Sequence, residues 1–447
     1  MFPYIPATEE SKKKMLEDVG LNSVEDLFKD ISHKVRLKGE LNIPKHKSEL
    51  EVSSYIKKLG KMNETTEDYT CFLGCGAYDH YIPSVVDAVI SRSEYYTAYT
   101  PYQAEIAQGT LQTIFEFQSM MAGLTGMDVC NASVYDGSTA VYEAAYVAVA
   151  SNRRKEVLIS KSVHPEYRKV LKASLGAANI KYIEIEIKEG TTDLDDLKEK
   201  LTKDVSAVIV QSPNFFGLIE EVEEVVKESH ENKSLVVMST DPISLGLLKT
   251  PGEMGVDIAI GEAQALGIPL SFGGPYLGFI TTTKALLRKV PGRLVGMTKD
   301  VDGKRGFVLT LQTREQHIRR EKSISNICTN QALNATAATV YLSLMGKEGM
   351  KEVAKQNYDK AHYAHEQLIS TGMFEDSWEK PFFKEFTLKY KGNLKALKEK
   401  LEENKILGGF HPKEDYQALE NHLIIAVTEK RSKEEVDQLC TIVKEVE

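Results

Sequence analysis

The 447 residues suffice for two or three domains with a buried core that needs neither disulfides nor a structural metal. Lys+Arg 56 against Asp+Glu 65 leaves a formal charge of −9, with no basic block of the kind that binds nucleic acid non-specifically. Charged residues at 27% and apolar ones at 42% exclude extensive disorder, and no apolar stretch approaches the roughly 18 residues of a membrane span.

The N-terminal Met1-Phe2-Pro3-Tyr4-Ile5-Pro6 has no basic segment leading into an apolar run, and no Arg- and Ser-rich transit composition, so no targeting segment is expected. Residues 1–70 read as a polar helical arm, with helices starting at Ser23 and running from Ser48 to Lys58. Five scattered cysteines (Cys71, Cys75, Cys130, Cys328, Cys440) suggest reduced thiols and a cytoplasmic setting; no second pair accompanies Cys71 and Cys75, and no metal is expected. A helix follows over Gln108–Leu124, with Leu111, Ile114, Phe115, Met121 and Leu124 on its apolar stripe.

From there apolar runs alternate with helical stretches. Strands are expected at Val129–Val134, Glu156–Ile159, Ile180–Ile187, Ala207–Val210, Leu235–Ser239, Val256–Ile260 and Leu277–Thr281. Helices are expected at Thr139–Ala150, Glu166–Leu175, Asp193–Leu201 and Ile219–His230. This is the pattern of βαβ units: an α/β domain over 71–290 with a mainly parallel sheet. Residues 291–447 read as a smaller α+β domain, with helices over 325–346 and 350–370, strands Phe386–Lys389 and Leu423–Val427, and helices over 393–403 and 433–446. His362 and His365, three apart on one of these helices, read as surface residues.

In open α/β sheets ligands bind beyond the carboxyl ends of the strands. The first strand delivers Gly137-Ser138-Thr139 at a helix start, where backbone N–H groups can hold a phosphate. Later ends deliver His164, Asn214 and Asp241. Singly each reads as a cap or a turn. Together, in this order, they resemble the fold-type I pyridoxal-phosphate-dependent transferases, the aspartate-aminotransferase-like fold. That resemblance implies a His stacked on the cofactor ring, an Asn at its hydroxyl and an Asp at its ring nitrogen. The lysine such enzymes use as a Schiff base is missing: residues 256–275 contain none, Lys249 comes too early, Lys284 too late, and Gln264 stands in the expected place. A carboxamide cannot form an imine, so the cleft is expected to offer no primary amine and this chain to hold no covalent cofactor.

Five longer stretches, Phe72–Pro83, Tyr95–Gly109, Gln211–Gly217, Gly273–Pro275 and Arg319–Ala332, resemble the P-protein family of the glycine cleavage system. The likeness is to the N-terminal half, in the form that divides the two halves into subunits 1 and 2. Cys75 and Ala104 depart from the family's Ala and Pro. The resemblance implies a heterotetramer with two copies of each subunit. It also implies pyridoxal phosphate carried by subunit 2, decarboxylation of glycine, and passage of the aminomethyl group to the lipoyl group of the H-protein. This chain would complete its partner's site from the interface, with Tyr95, Tyr96, Thr97, Tyr99 and Gln103 as donors for a carboxylate. Gly137, Ser138, Thr139, His164, Asn214, Asp241 and Gln264 then read as vestiges around an empty cleft, or else as a non-covalent phosphate site. The basic cluster Arg319, Arg320 and Lys322 could be a solvated face, a lining near the partner's cofactor phosphate, or a contact for the H-protein. Two rival readings are a scaffold subunit without catalytic contribution and an independent enzyme using a lysine such as Lys284.

Overall fold

Runs rich in valine and isoleucine become strands buried on both sides when helices cover both faces of a sheet. The structure, a computed structural model, describes residue 4 and residues 6–446. Met1, Phe2, Pro3 and Ile5, on which the targeting expectation partly rests, lie outside the described residues. The central sheet runs, in spatial order, Val129–Cys130, Gly278–Thr282, Ile258–Glu262, Leu235–Ser239, Val205–Gln211, Glu156–Ser160 and Lys181–Ile185. From Ile258–Glu262 to Lys181–Ile185 every neighbour is parallel; Gly278–Thr282 is antiparallel to both of its neighbours.

Alternation along the strands sorts the core into two layers. Val157, Ile159, Ala207, Ile209 and Val237 cluster with Ala140, Val141, Ala144, Leu171 and Leu175 of helices Gly137–Asn152 and Pro165–Ala177. Leu158, Val208, Val210, Val236 and Met238 cluster with Leu197, Val222 and Val225 of helices Leu194–Lys200 and Val222–Glu231. The first layer contains one misfit. Glu143 is buried on helix Gly137–Asn152, and neither carboxyl oxygen has a hydrogen-bond partner. Burial pushes it from 4.5 up to about 7, offset only in part by the nearby Ser325 hydroxyl. The native state therefore binds the extra proton between pH 4.5 and about 7, so this residue's contribution to stability falls as pH rises through that window. Glu143→Met is expected to flatten that slope and to raise stability at pH 8 by about 3 kcal/mol, read from denaturant midpoints at pH 5 and pH 8.

The chain beyond Thr282 departs from expectation in three places. Leu294–Lys299 and Arg305–Thr310 form an antiparallel hairpin that the sequence reading missed. It is held to helix Gln108–Thr125 by side-chain amides that imitate a strand: Gln108 exchanges two 2.8 Å hydrogen bonds with the Phe307 backbone, and Gln118 two of 3.0 Å with Val295. The next helix begins at Ala332, not 325, and runs to Ser370 with a break at Gly346 (φ 56). Ser325–Gln331 stays irregular, with the Cys328 carbonyl accepting from Arg293 and Asn330 donating to the Ala132 carbonyl. A three-stranded antiparallel sheet follows, Phe374–Asp376, Glu385–Tyr390 and His422–Ala426, backed by helices Leu394–Glu403 and Lys433–Glu445. Its core includes Phe72, Phe215, Phe216 and Leu218, so a strand-end turn of the large sheet is sealed into it. His362 and His365 are half-buried rather than surface residues: His362 stacks on Phe382 at 4.0 Å and His365 meets Asp376 at 2.5 Å.

Residues up to Glu64 and residues from Thr65 form two compact units. In the first, Thr8 caps helix Glu9–Asp18 and a Ser48–Glu51 capping box starts helix Glu49–Gly60. Ser23 heads only a short 3-10 segment, Val24–Phe28, instead of a full helix.

Candidate functional site

The carboxyl ends of four parallel strands, with the loop over 74–80 and the start of strand Glu385–Tyr390, surround a cleft lined by Gly76, His164, Asp241, Glu262, Lys384 and Glu385 among others. His164 accepts the Glu166 N–H at Nδ1 (3.1 Å) and donates from Nε2 to the Cys75 carbonyl (2.8 Å), which fixes its tautomer. Burial lowers its pKa and keeps it neutral. Gln264 is buried behind the lining residue Tyr78, bound to its backbone at 2.9 and 3.1 Å and to the Ile268 carbonyl at 2.7 Å. Asp136 caps the helix that begins at Gly137, accepting from the Thr139 N–H and the Ser138 hydroxyl, both at 2.7 Å.

One expectation is overturned here: the cleft does contain a primary amine. Lys384, 2% exposed, places its Nζ 2.6 Å from Asp241, 2.9 Å from His80 Nε2 and 3.6 Å from the centre of the Tyr78 ring. His80 passes the interaction on to Glu429 (2.7 Å). Although burial acts against it, Glu429 is held down at about 2 by His80 and the Tyr81 N–H. Glu385 accepts from the Cys75 N–H and the Tyr78 hydroxyl, both at 2.6 Å, and burial pushes its pKa up. Lys249 pairs instead with Glu223, and Lys284 opens a 3-10 segment; neither lines the cleft.

These residues do not fit pyridoxal phosphate. The Gly137 N–H, at the helix start where a phosphate would sit, donates to Glu262 (3.0 Å), whose other oxygen accepts from Leu277 and Gln264. Burial pushes the Glu262 carboxyl up to about 7, and its oxygens already take the N–H groups that a phosphate would use. Tyr167 stacks on His164 at 4.9 Å and lies over Gly137 so closely that a Cβ added there would be 2.0 Å from its hydroxyl. The remaining space is about 40 Å³, room for a water but far short of the roughly 300 Å³ of ordinary ligand pockets. Asn214 is not brought to the cleft. Its amide nitrogen donates to the Gly190 carbonyl and Glu220, and its oxygen accepts from Phe216 and Leu218, so its hydrogen-bonding capacity is spent away from the cleft. Among the described residues no cluster of His, Cys, Asp or Glu is arranged to hold a metal.

Sequence reasoning overlooked Lys384, Glu385, Tyr78, Glu262 and Tyr167. Lys384-Glu385 interrupts Phe382-Phe383 and Phe386, and two adjacent charges inside an aromatic run are the kind of local inconsistency that marks a working site. Glu262 lies in the lysine-free stretch 256–275, and a carboxyl two positions before Gln264 is its local cue.

The tyrosine segment forms a second feature. Tyr96 and Tyr99 are 69% and 84% exposed, Tyr95 is half-buried, and Thr97 and Gln103 are exposed. Two adjoining hollows of about 490 and 550 Å³ share Glu94, Ile106, Ala107 and Thr110; Tyr95 lines the first, and Tyr99, Tyr102 and Gln103 the second. Tyr102 links this segment to the basic one: its hydroxyl accepts from Arg293 (3.1 Å), and its ring meets His317 edge-on at 6.3 Å. Arg319, Arg320 and Lys322 follow, all exposed, and the Arg319 Nε donates to the Thr313 carbonyl (3.0 Å). Two stretches over 200 residues apart in sequence are thus joined at Tyr102.

Residues 3–443 match the family model described as glycine cleavage system P-protein. Curated relatives named probable glycine dehydrogenase (decarboxylating) subunit 1, from Bacillus cereus and Bacillus anthracis, are each 52% identical over 98% of this chain and 97% of theirs. A crystal structure of glycine decarboxylase (P-protein) of the glycine cleavage system, in inhibitor-bound form, superposes with a TM-score of 0.91 at 41% identity, covering 100% of both chains. A Burkholderia pseudomallei sphingosine-1-phosphate lyase, with a TM-score of 0.67 at 13% identity over 92% of this chain and 93% of its own, shares the fold alone.

Proposed function

The chain belongs to the glycine cleavage system P-protein family, and from that membership we propose that it acts as subunit 1 of a glycine dehydrogenase (decarboxylating). The observation that carries the proposal is the near end-to-end match to relatives named as that subunit. In this reading the pair of subunits removes the carboxyl group of glycine as CO2 and passes the aminomethyl group to the lipoyl group of the H-protein. Pyridoxal phosphate, bound by subunit 2, supplies the electron sink for the decarboxylation. Gln264 in place of a lysine and the filled cleft support assigning it to the partner. We propose two copies of each subunit in the assembly and a cytoplasmic location, and we keep residues 1–70, 71–290 and 291–447 as its working domains.

This chain's own share is the face joined at Tyr102. Tyrosine and threonine hydroxyls and Gln103 offer donors to a carboxylate, and Arg319, Arg320 and Lys322 offer cations to anionic groups of the partner or the H-protein. Closing subunit 2 over this face would exclude water from the hollows and fix the donors. The test is co-expression with a candidate subunit 2, following exchange of labelled bicarbonate carbon into glycine. The pair is expected to exchange and this chain alone to show nothing above background. Exchange by this chain alone, with a reduced pyridoxyl-lysine mapped in it after borohydride, would overturn the proposal.

A further inference from the structure

We infer that the cleft at the strand ends is closed by the chain's own side chains acting as a built-in occupant, with Lys384 as the principal one. Three parts of a ligand are replaced in turn. The Lys384 ammonium meets Asp241 at 2.6 Å, where a protonated ring nitrogen would otherwise bond. A Glu262 carboxyl oxygen takes the Gly137 N–H that a phosphate would need. The Tyr167 ring lies on His164 where a cofactor ring would stack. Each replacement sits where the displaced group would: an ammonium for a protonated ring nitrogen, a carboxyl oxygen for a phosphate oxygen, a ring for a ring.

The arrangement also ties the molecule together. Lys384 and Glu385 come from the start of the C-terminal antiparallel sheet, whereas Asp241 stands at a strand end of the large sheet. Tyr78, His80 and the Cys75 N–H reach the same two side chains from the loop over 74–80. One buried ammonium therefore joins three parts of the fold. A pair so buried is expensive to break from one side, because the surviving charge is left without its partner. Removing both charges is far milder.

This inference stands on the geometry of the cleft and not on the subunit assignment, so either can fail without the other. Three measurements on the purified full chain test it. Lys384→Met and Asp241→Asn are each expected to lower Tm by about 3–5 °C, and the double variant is expected to recover most of that loss. Lys384→Ala is expected to regain stability in propylammonium chloride relative to sodium chloride of equal strength, while the unsubstituted chain gains nothing. The unsubstituted chain, incubated with pyridoxal phosphate and reduced with borohydride, is expected to give no adduct at Lys384 on peptide mapping. Additive single and double variants, rescue equal in both chains, or a pyridoxyl group on Lys384 would each overturn the inference. Unimpaired glycine exchange by the assembled pair in that last case would leave the subunit reading intact.

Discussion

Gly217→Ala is expected to destabilise the chain by about 3–5 kcal/mol, close to the limit at which folded protein is recovered. Gly217 has φ +89, and a Cβ built on it would lie 2.0 Å from the carbonyl oxygen of Glu385. The left-handed backbone strains any L side chain, and the contact demands that one backbone segment move away from the other. Neither can move freely. The Phe216 carbonyl accepts from the Thr387 hydroxyl (2.9 Å), the Ile219 N–H donates to the Pro381 carbonyl (2.9 Å), and Phe216 itself is fully buried. Displacing Glu385 would also shift Lys384 beside it. The control is Gly303→Ala, at φ +79 with nothing within 4 Å, where only the backbone strain of about 1 kcal/mol applies. Chemical denaturation of the two variants should separate them by at least a factor of two in lost stability. Equal losses would mean that the close approach does not constrain the fold.

The contrast between those glycines shows what a sequence reveals. The seven strands of the large sheet were legible, the inner ones because burial on both faces leaves unbroken apolar runs such as Val205–Gln211. The hairpin Leu294–Lys299/Arg305–Thr310 was not. Met297 is exposed, polar residues dominate its tip, and it is fixed by Gln108 and Gln118, nearly two hundred residues away. Its one local cue was Asp302-Gly303, a turn signal between two short runs. The cleft divides the same way. His164, Asp241 and Gln264 could be found by counting strand ends, since topology carries the position of each. Lys384 could not, because it arrives from a different sheet and its meaning depends on a 2.6 Å contact across 143 positions of sequence. The lysine-free stretch 256–275 borders only part of the cleft, and folding brings Lys384 to the rest from elsewhere.

Tyr95→Phe and Tyr96→Phe together are expected to lower bicarbonate–glycine exchange by the assembled pair about 100-fold while leaving assembly intact. Each substitution deletes only a hydroxyl, so packing of the rings is retained and the change reads hydrogen bonding alone. In the chain by itself the segment is poorly explained as a structural element. Tyr96 and Tyr99 expose most of their rings, Ile106 is 82% exposed, and the hollows between them are lined by polar and apolar groups alike. Large amphipathic side chains left in solvent are characteristic of a surface that is completed by another molecule. Removing a donor that is aligned on developing charge costs about two orders of magnitude in rate, whereas loss of a rim contact changes association and little else. The two roles therefore separate by measurement. Size-exclusion profiles and subunit titration report assembly; exchange at saturating partner reports the chemistry. Full exchange from the doubly substituted pair would reduce this face to a scaffold, and loss of assembly would assign the hydroxyls to the interface.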